Sequence, residues 1–129
     1  MKSKEILLTV ARYVSAIILA QTLFFKFTGA AESVYIFTAV GMEPWGRIGV
    51  GIAELIAAIL LVYKRFSWVG AGLSIGMMSG AIMMHLLIIG IEVMDDGGEL
   101  FFLALTVLLL CSYVFYQQRT SWLPLLKRN

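Results

Sequence analysis

The sequence predicts an all-α integral membrane four-helix bundle, and three observations carry that prediction. Of 129 residues, 60% are hydrophobic and only 14% charged, with a mean hydropathy of +0.91, whereas soluble domains are nearer half apolar and a quarter charged. Four stretches supply the roughly 20 mainly apolar residues that a helix needs to cross the ~30 Å hydrocarbon layer. Lysine and arginine gather on alternate connections, as the orientation of a multi-pass chain requires.

Span one runs from about 8 to 27 and is interrupted by Arg12, Gln21 and Lys26. Its Lys2/Lys4 start and the small Ala20 also resemble a secretion signal, but Ile18 fits the upstream cleavage subsite poorly, so an uncleaved helix is predicted. In the link that follows, Glu32 to Val40 forms a short outer helix with Val34 and Phe37 on one side, capped by Thr28 or Ser33 and ended by Gly41. Pro44 suits the first turn of span two and Trp45 suits the interfacial belt. Span two, about 45 to 63, carries Glu54 near its middle. The tight turn from Tyr63 to Phe66 makes spans two and three antiparallel neighbours. In span three, about 66 to 91, only His85 titrates. An acidic turn, Asp95-Asp96-Gly97-Gly98, leads to span four, about 100 to 118, after which Trp122, Pro124, Lys127 and Arg128 form an interfacial anchor. The spans use nearly all of residues 1–129, which leaves one transmembrane domain.

Eight of the ten lysines and arginines fall on one side: Lys2, Lys4, Arg12, Lys64, Arg65, Arg119, Lys127 and Arg128. The other side holds Glu32, Glu43, Glu92, Asp95, Asp96 and Glu99, with Lys26 and Arg47. Positive charge is retained in the cytoplasm, so both termini are predicted to be cytoplasmic and the bundle to run up-down-up-down. A lone cysteine, Cys111, excludes an internal disulfide, a CxxC pair and a thiolate-rich metal site, and a lone histidine excludes a multi-histidine zinc or haem site. No metal or cofactor ligand set is therefore expected within the chain. A net charge of +2 with no basic tract gives no reason to expect nucleic acid.

Each span carries a polar stripe at helical spacing: Arg12, Ser15, Thr22 and Lys26; Arg47, Gly51 and Glu54; Ser74, Met78 and His85; Glu99, Thr106, Tyr113 and Gln117. Facing lipid these would be costly, about 2.5–3.5 kcal/mol for a mid-span carboxylate, so all four stripes turn inward. Counting about 1.5 Å per residue from the outer ends puts Lys26 at ~2–3 Å, His85 at ~9 Å and Glu54 at ~12 Å depth. Lys26 can bend toward Glu54, with His85 and the hydroxyls of Thr106 and Tyr113 completing a polar pocket. Arg47, two turns above Glu54, competes for the same carboxylate, and Gln21 reaches the interior from the edge of its helix. The alternative is a structural ion pair that only locks helix register. Gly72, Gly76 and Gly80 form a ridge that suits close helix packing within the chain or a homo-oligomer. The methionines of span three read as adaptable core filling.

The stretch Gln21-Thr-Leu-Phe-Phe-Lys26-Phe-Thr-Gly29, the segment Gly51-Ile-Ala-Glu54-Leu55 and the spacing Met78-x-x-Ala81-x-x-x-His85 resemble the DoxX family of small bacterial membrane proteins, over roughly Val10 to Tyr116. The resemblance implies a multi-pass protein of the bacterial cytoplasmic (inner) membrane. The family is named through a membrane subunit associated with thiosulfate:quinone oxidoreduction and is also linked to redox-stress complexes. Lys26, Glu54 and His85 match its polar pattern. The expected function is a quinone- or redox-linked accessory subunit whose pocket holds a quinone or lipid-like head group and whose partner, a redox enzyme, supplies the electron chemistry. A small-solute or proton-coupled carrier and a non-catalytic assembly protein are the rival readings.

Overall fold

The computed structural model describes residues 3–126, so Lys2, Lys127 and Arg128, used above for orientation and anchoring, lie outside the described residues. The elements are α1 (Ser3–Thr28), α2 (Ala31–Ala39), α3 (Trp45–Val62), a short 3-10 turn (Lys64–Phe66), α4 (Ser67–Met84) continuing into a π-turn (His85–Ile89), α5 (Glu99–Gln117) and α6 (Arg119–Leu126). Four of these helical segments, at 3–28, 45–62, 64–89 and 99–117, are long and apolar enough to cross a membrane. The long helices pack as a closed ring in which α1 touches α3 and α5, and α4 touches the same two.

The ring sorts its side chains by size. Ile17, Phe24, Ile59, Leu87 and Leu109 point away from the bundle, while Ala11, Ala16, Ala57, Ala58, Ala71 and Cys111 form much of its interior. Lipid tails are as apolar as leucine, so helices in a bilayer gain from small residues that let backbones approach. The closest approach is at Gly70, where an added Cβ would sit 2.8 Å from Ala57 O and 2.9 Å from Leu61 N. Within the chain the predicted Gly72/Gly76/Gly80 ridge is not a packing seam. A Cβ on Gly72 would sit 3.3 Å from the Phe115 ring, whereas one on Gly76 or Gly80 would meet nothing within 4 Å.

Arg12 departs from its expected role as a flanking charge. It is 5% exposed, and it donates from Nε to Leu61 O (2.9 Å) and from Nη2 to Val62 O (2.6 Å). The last carbonyls of a helix lack intrahelical partners, so Arg12 closes the end of α3 from a neighbouring helix. Nearby, Ser67 at the start of α4 donates to Gln118 Oε1 at the end of α5 (2.7 Å). We label this the inner end of the bundle and the opposite end, with α2 and the 90–98 loop, the outer end, after the orientation expected from the sequence.

Helix α2 differs from expectation in its cap and its buried face. Ala30 is the N-cap, the Thr28 hydroxyl bonds back to Phe24 O (2.8 Å), and Ser33 is buried together with Phe37 while Val34 is only half-buried. After α5 the chain turns into α6 instead of ending in an irregular anchor. There Trp122 stacks on Phe115 with ring centres 4.6 Å apart and donates its indole N–H to Phe115 O (2.7 Å).

Candidate functional site

Small residues and an overhanging helix leave a space at the outer end. A cavity of about 510 Å³ lies among α1, α3, α4 and α5 beneath α2. Its wall is mainly apolar, with Met77, Met78, Met84, Leu103 and Val107 below and Ile36 and Phe37 of α2 above. Gly76 and Gly80 also line it, which explains why no atom sits where their Cβ would be. The stripe that looked like a packing ridge widens a cavity.

Lys26 and Glu54 meet on this wall. The last turn of α1 carries Lys26, whose ammonium lies 2.9 Å from Glu54 Oε1, with side chains 16% and 2% exposed respectively. A lysine near a helix end can bend its flexible stem inward, which brings the charge to mid-helix Glu54. Among the described residues the Lys26 ammonium is the one partner of Glu54, and no backbone N–H, amide or hydroxyl donates to its carboxylate. A carboxylate offers about four acceptor positions, so this deeply placed group can take further donors.

His85 lines the cavity from the π-turn and is 4% exposed. Its Nδ1 is 2.9 Å from Gly90 O, and a carbonyl can only accept, so Nδ1 carries the proton of that hydrogen bond. The widened turn, closed by Gly90 N on His85 O at 2.7 Å, holds the ring edge-on to Phe101. Gln21, exposed on α1, also lines the cavity.

Three of the expected site residues sit elsewhere. Arg47 pairs with Glu43, four residues earlier (2.8 Å), and donates from Nη1 to Lys26 O (2.5 Å), so a nearer carboxylate and the open end of α1 take its guanidinium instead of Glu54. It steadies the backbone that bears Lys26 without lining the cavity. Thr106 is exposed and bonds back to Phe102 O (2.8 Å), and Tyr113 packs against the core below the cavity. The inward face of α5 is Ala104, Val107, Cys111 and Val114, which turns the Thr106/Tyr113 stripe off the axis.

Glu99, expected on the inward stripe of span four, lines the cavity as well, and so do Glu32, Ser33 and Asp96, which the sequence placed in the outer links. Asp96 is fixed by its loop: Oδ1 accepts from Val93 N (3.0 Å) and Gly98 N (2.8 Å), and Oδ2 from Leu100 N (3.3 Å). Partial desolvation opposes its charge, but these backbone donors outweigh it and hold the carboxyl below its ordinary range. An aspartate before two glycines at the start of an apolar run is a capping signal that could have located it. Among the described residues, no group of three or more His, Cys, Asp or Glu side chains is placed to hold a metal ion.

The arrangement offers a charged pair, an imidazole nitrogen and an apolar slot within one enclosure, which suits a molecule with a polar head and an apolar tail. In comparisons with known proteins, the family model for DoxX matches residues 7–87, more than half of the chain and a range that contains Lys26, Glu54 and His85. No curated protein and no solved structure matches.

Proposed function

We propose, for a chain that belongs to the DoxX family, that the outer cavity binds a quinone or lipid-like molecule and that the protein serves as a redox-linked accessory subunit of the bacterial inner membrane. In this reading the helices run up-down-up-down with both termini cytoplasmic, and the cavity opens in the periplasmic leaflet. The observation that carries the reading is that the Lys26–Glu54 pair and His85 line one cavity whose wall is mainly apolar. The head group meets the ion pair and His85, and the tail lies along Met77, Met84 and the gap at Gly76 and Gly80. Nε2 of His85 is the site at which a proton passes to or from the head group. Electron chemistry belongs to a bound molecule or to a redox enzyme partner.

The core favours binding over passage through the bundle. Below the ion pair, Leu19, Ala57, Ala58, Leu61, Val107 and Cys111 fill the axis. A purely structural role accounts less well for a void beside the Lys26–Glu54 pair. Mass spectrometry of small molecules retained by the purified protein tests the proposal, alongside Glu54→Gln and His85→Ala variants. Retention of a stoichiometric amphiphile that falls in either variant supports it. Absence of any such molecule, or equal retention in all three proteins, overturns it.

A further inference from the structure

We infer that this cavity selects an uncharged amphiphile whose polar end is an alcohol or phenol donating a hydrogen bond to Glu54, and that it turns away anionic head groups. The inference rests on the binding reading above and adds the chemistry of the head group.

Glu54 gives the first argument. Its carboxylate lines the cavity and has the Lys26 ammonium as its one partner among the described residues, which leaves acceptor capacity free. A neutral hydroxyl supplies a second donor without disturbing the pair. An anion would have to compete with Glu54 for Lys26 and leave a 2%-exposed carboxylate without its cation. A head group with acceptors alone leaves Oε1 as it is.

The charge of the whole wall gives the second. Its carboxylates are Glu32, Glu54, Asp96 and Glu99, against one ammonium, Lys26, and the single imidazole of His85. Asp96 is secured as the anion by three backbone donors. Once Lys26 is set against Glu54, three carboxylates remain to repel a phosphate or carboxylate head, Asp96 half-buried and Glu32 and Glu99 exposed. The apolar length of the wall, from Met84 to Val107, accommodates an alkyl tail.

A hydroquinone and a diacylglycerol present the same chemistry, a neutral hydroxyl on an apolar tail. The test is equilibrium dialysis of the full chain in uncharged detergent against four probes: decylubiquinol kept reduced, decylubiquinone, dioctanoylglycerol and dioctanoylphosphatidylglycerol. At least one hydroxyl probe is expected to bind about tenfold or more tighter than both decylubiquinone and the anionic lipid, the value of one hydrogen bond to a charged group. Which hydroxyl probe binds more tightly identifies the source. The preference should vanish in Glu54→Gln and, as a variant that leaves no orphaned charge, in Lys26→Met combined with Glu54→Leu. If decylubiquinone or the phosphatidylglycerol binds as tightly as the best hydroxyl probe, the head-group inference is wrong while the cavity still binds amphiphiles. Binding of none of the four overturns both.

Discussion

At the inner end of the bundle, Arg12 is 5% exposed and places two guanidinium donors on the carbonyls that α3 leaves open, whereas at the outer end Glu54 is 2% exposed and meets one ammonium. The glycines divide in the same way. Gly70 brings α3 and α4 into backbone contact, while Gly76 and Gly80, on the same helix, border empty space. Among the described residues the inner half is filled and most of its buried polar groups are partnered, with Ser15 Oγ and Gln117 Oε1 as exceptions. The outer half keeps a void beside a carboxylate whose one partner is an ammonium. Buried polar groups in a membrane bundle thus serve two ends, and their partners separate them: a group that closes a neighbouring helix is structural, and one left open on a cavity wall is available to a ligand.

The comparison breaks most readily at Arg12. Arg12→Met leaves two carbonyls unpaired and is expected to lower unfolding stability in micelles by about 3–4 kcal/mol, with little change in amphiphile binding. A drop in binding at unchanged stability would erase the division between the halves. The next largest effect is at the ion pair. Lys26→Met leaves Glu54 buried without its cation and should cost about 3 kcal/mol, more than Glu54→Leu, after which the lysine stem can swing to water. Combining the two should recover most of the loss, as a double-mutant cycle on thermal unfolding will show.

Glycine substitutions sharpen the contrast on one helix. Gly70→Ala forces a methyl against backbone atoms and should destabilise by about 2 kcal/mol. Gly80→Ala meets no obstruction and should stabilise by about 0.5–1 kcal/mol through helix propensity. Equal losses in chemical denaturation would mean that the outer space is not there. The smallest effect concerns Asp96. Its folded carboxyl titrates below the unfolded value, so its contribution is complete above about pH 4 and is lost as pH falls through the lower folded value. Melting temperatures of wild type and Asp96→Asn should therefore converge in acid and separate above it.

The fold was legible because its determinants are local and strong: four long apolar runs, tight or acidic turns between them, and polar stripes at helical spacing. Lys26 and Glu54 were legible for a related reason, since a mid-span carboxylate must find a cation and a long lysine stem can bend across the difference in depth. Helical phase alone misplaced Arg47, Thr106 and Tyr113. Arg47 found Glu43 one turn away, and the small-residue face of α5 turned the two hydroxyls off the axis. Glycine spacing fixed which face is narrow but not what lies opposite it, so the ridge at Gly72, Gly76 and Gly80 read as a seam. Asp96 became a wall residue only through the fold of the 90–98 loop, a long-range result that no single helix period encodes.

Methyl NMR of the methionines, titrated with the tightest hydroxyl probe, tests the central claim most directly. Met42, Met77, Met78 and Met84 line the cavity, and Met83 and Met94 are exposed away from it. Saturable shifts confined to the four wall methyls are the expected result; shifts at Met83 and Met94 with the wall methyls unmoved would show the molecule sitting on the bundle's surface and contradict the account.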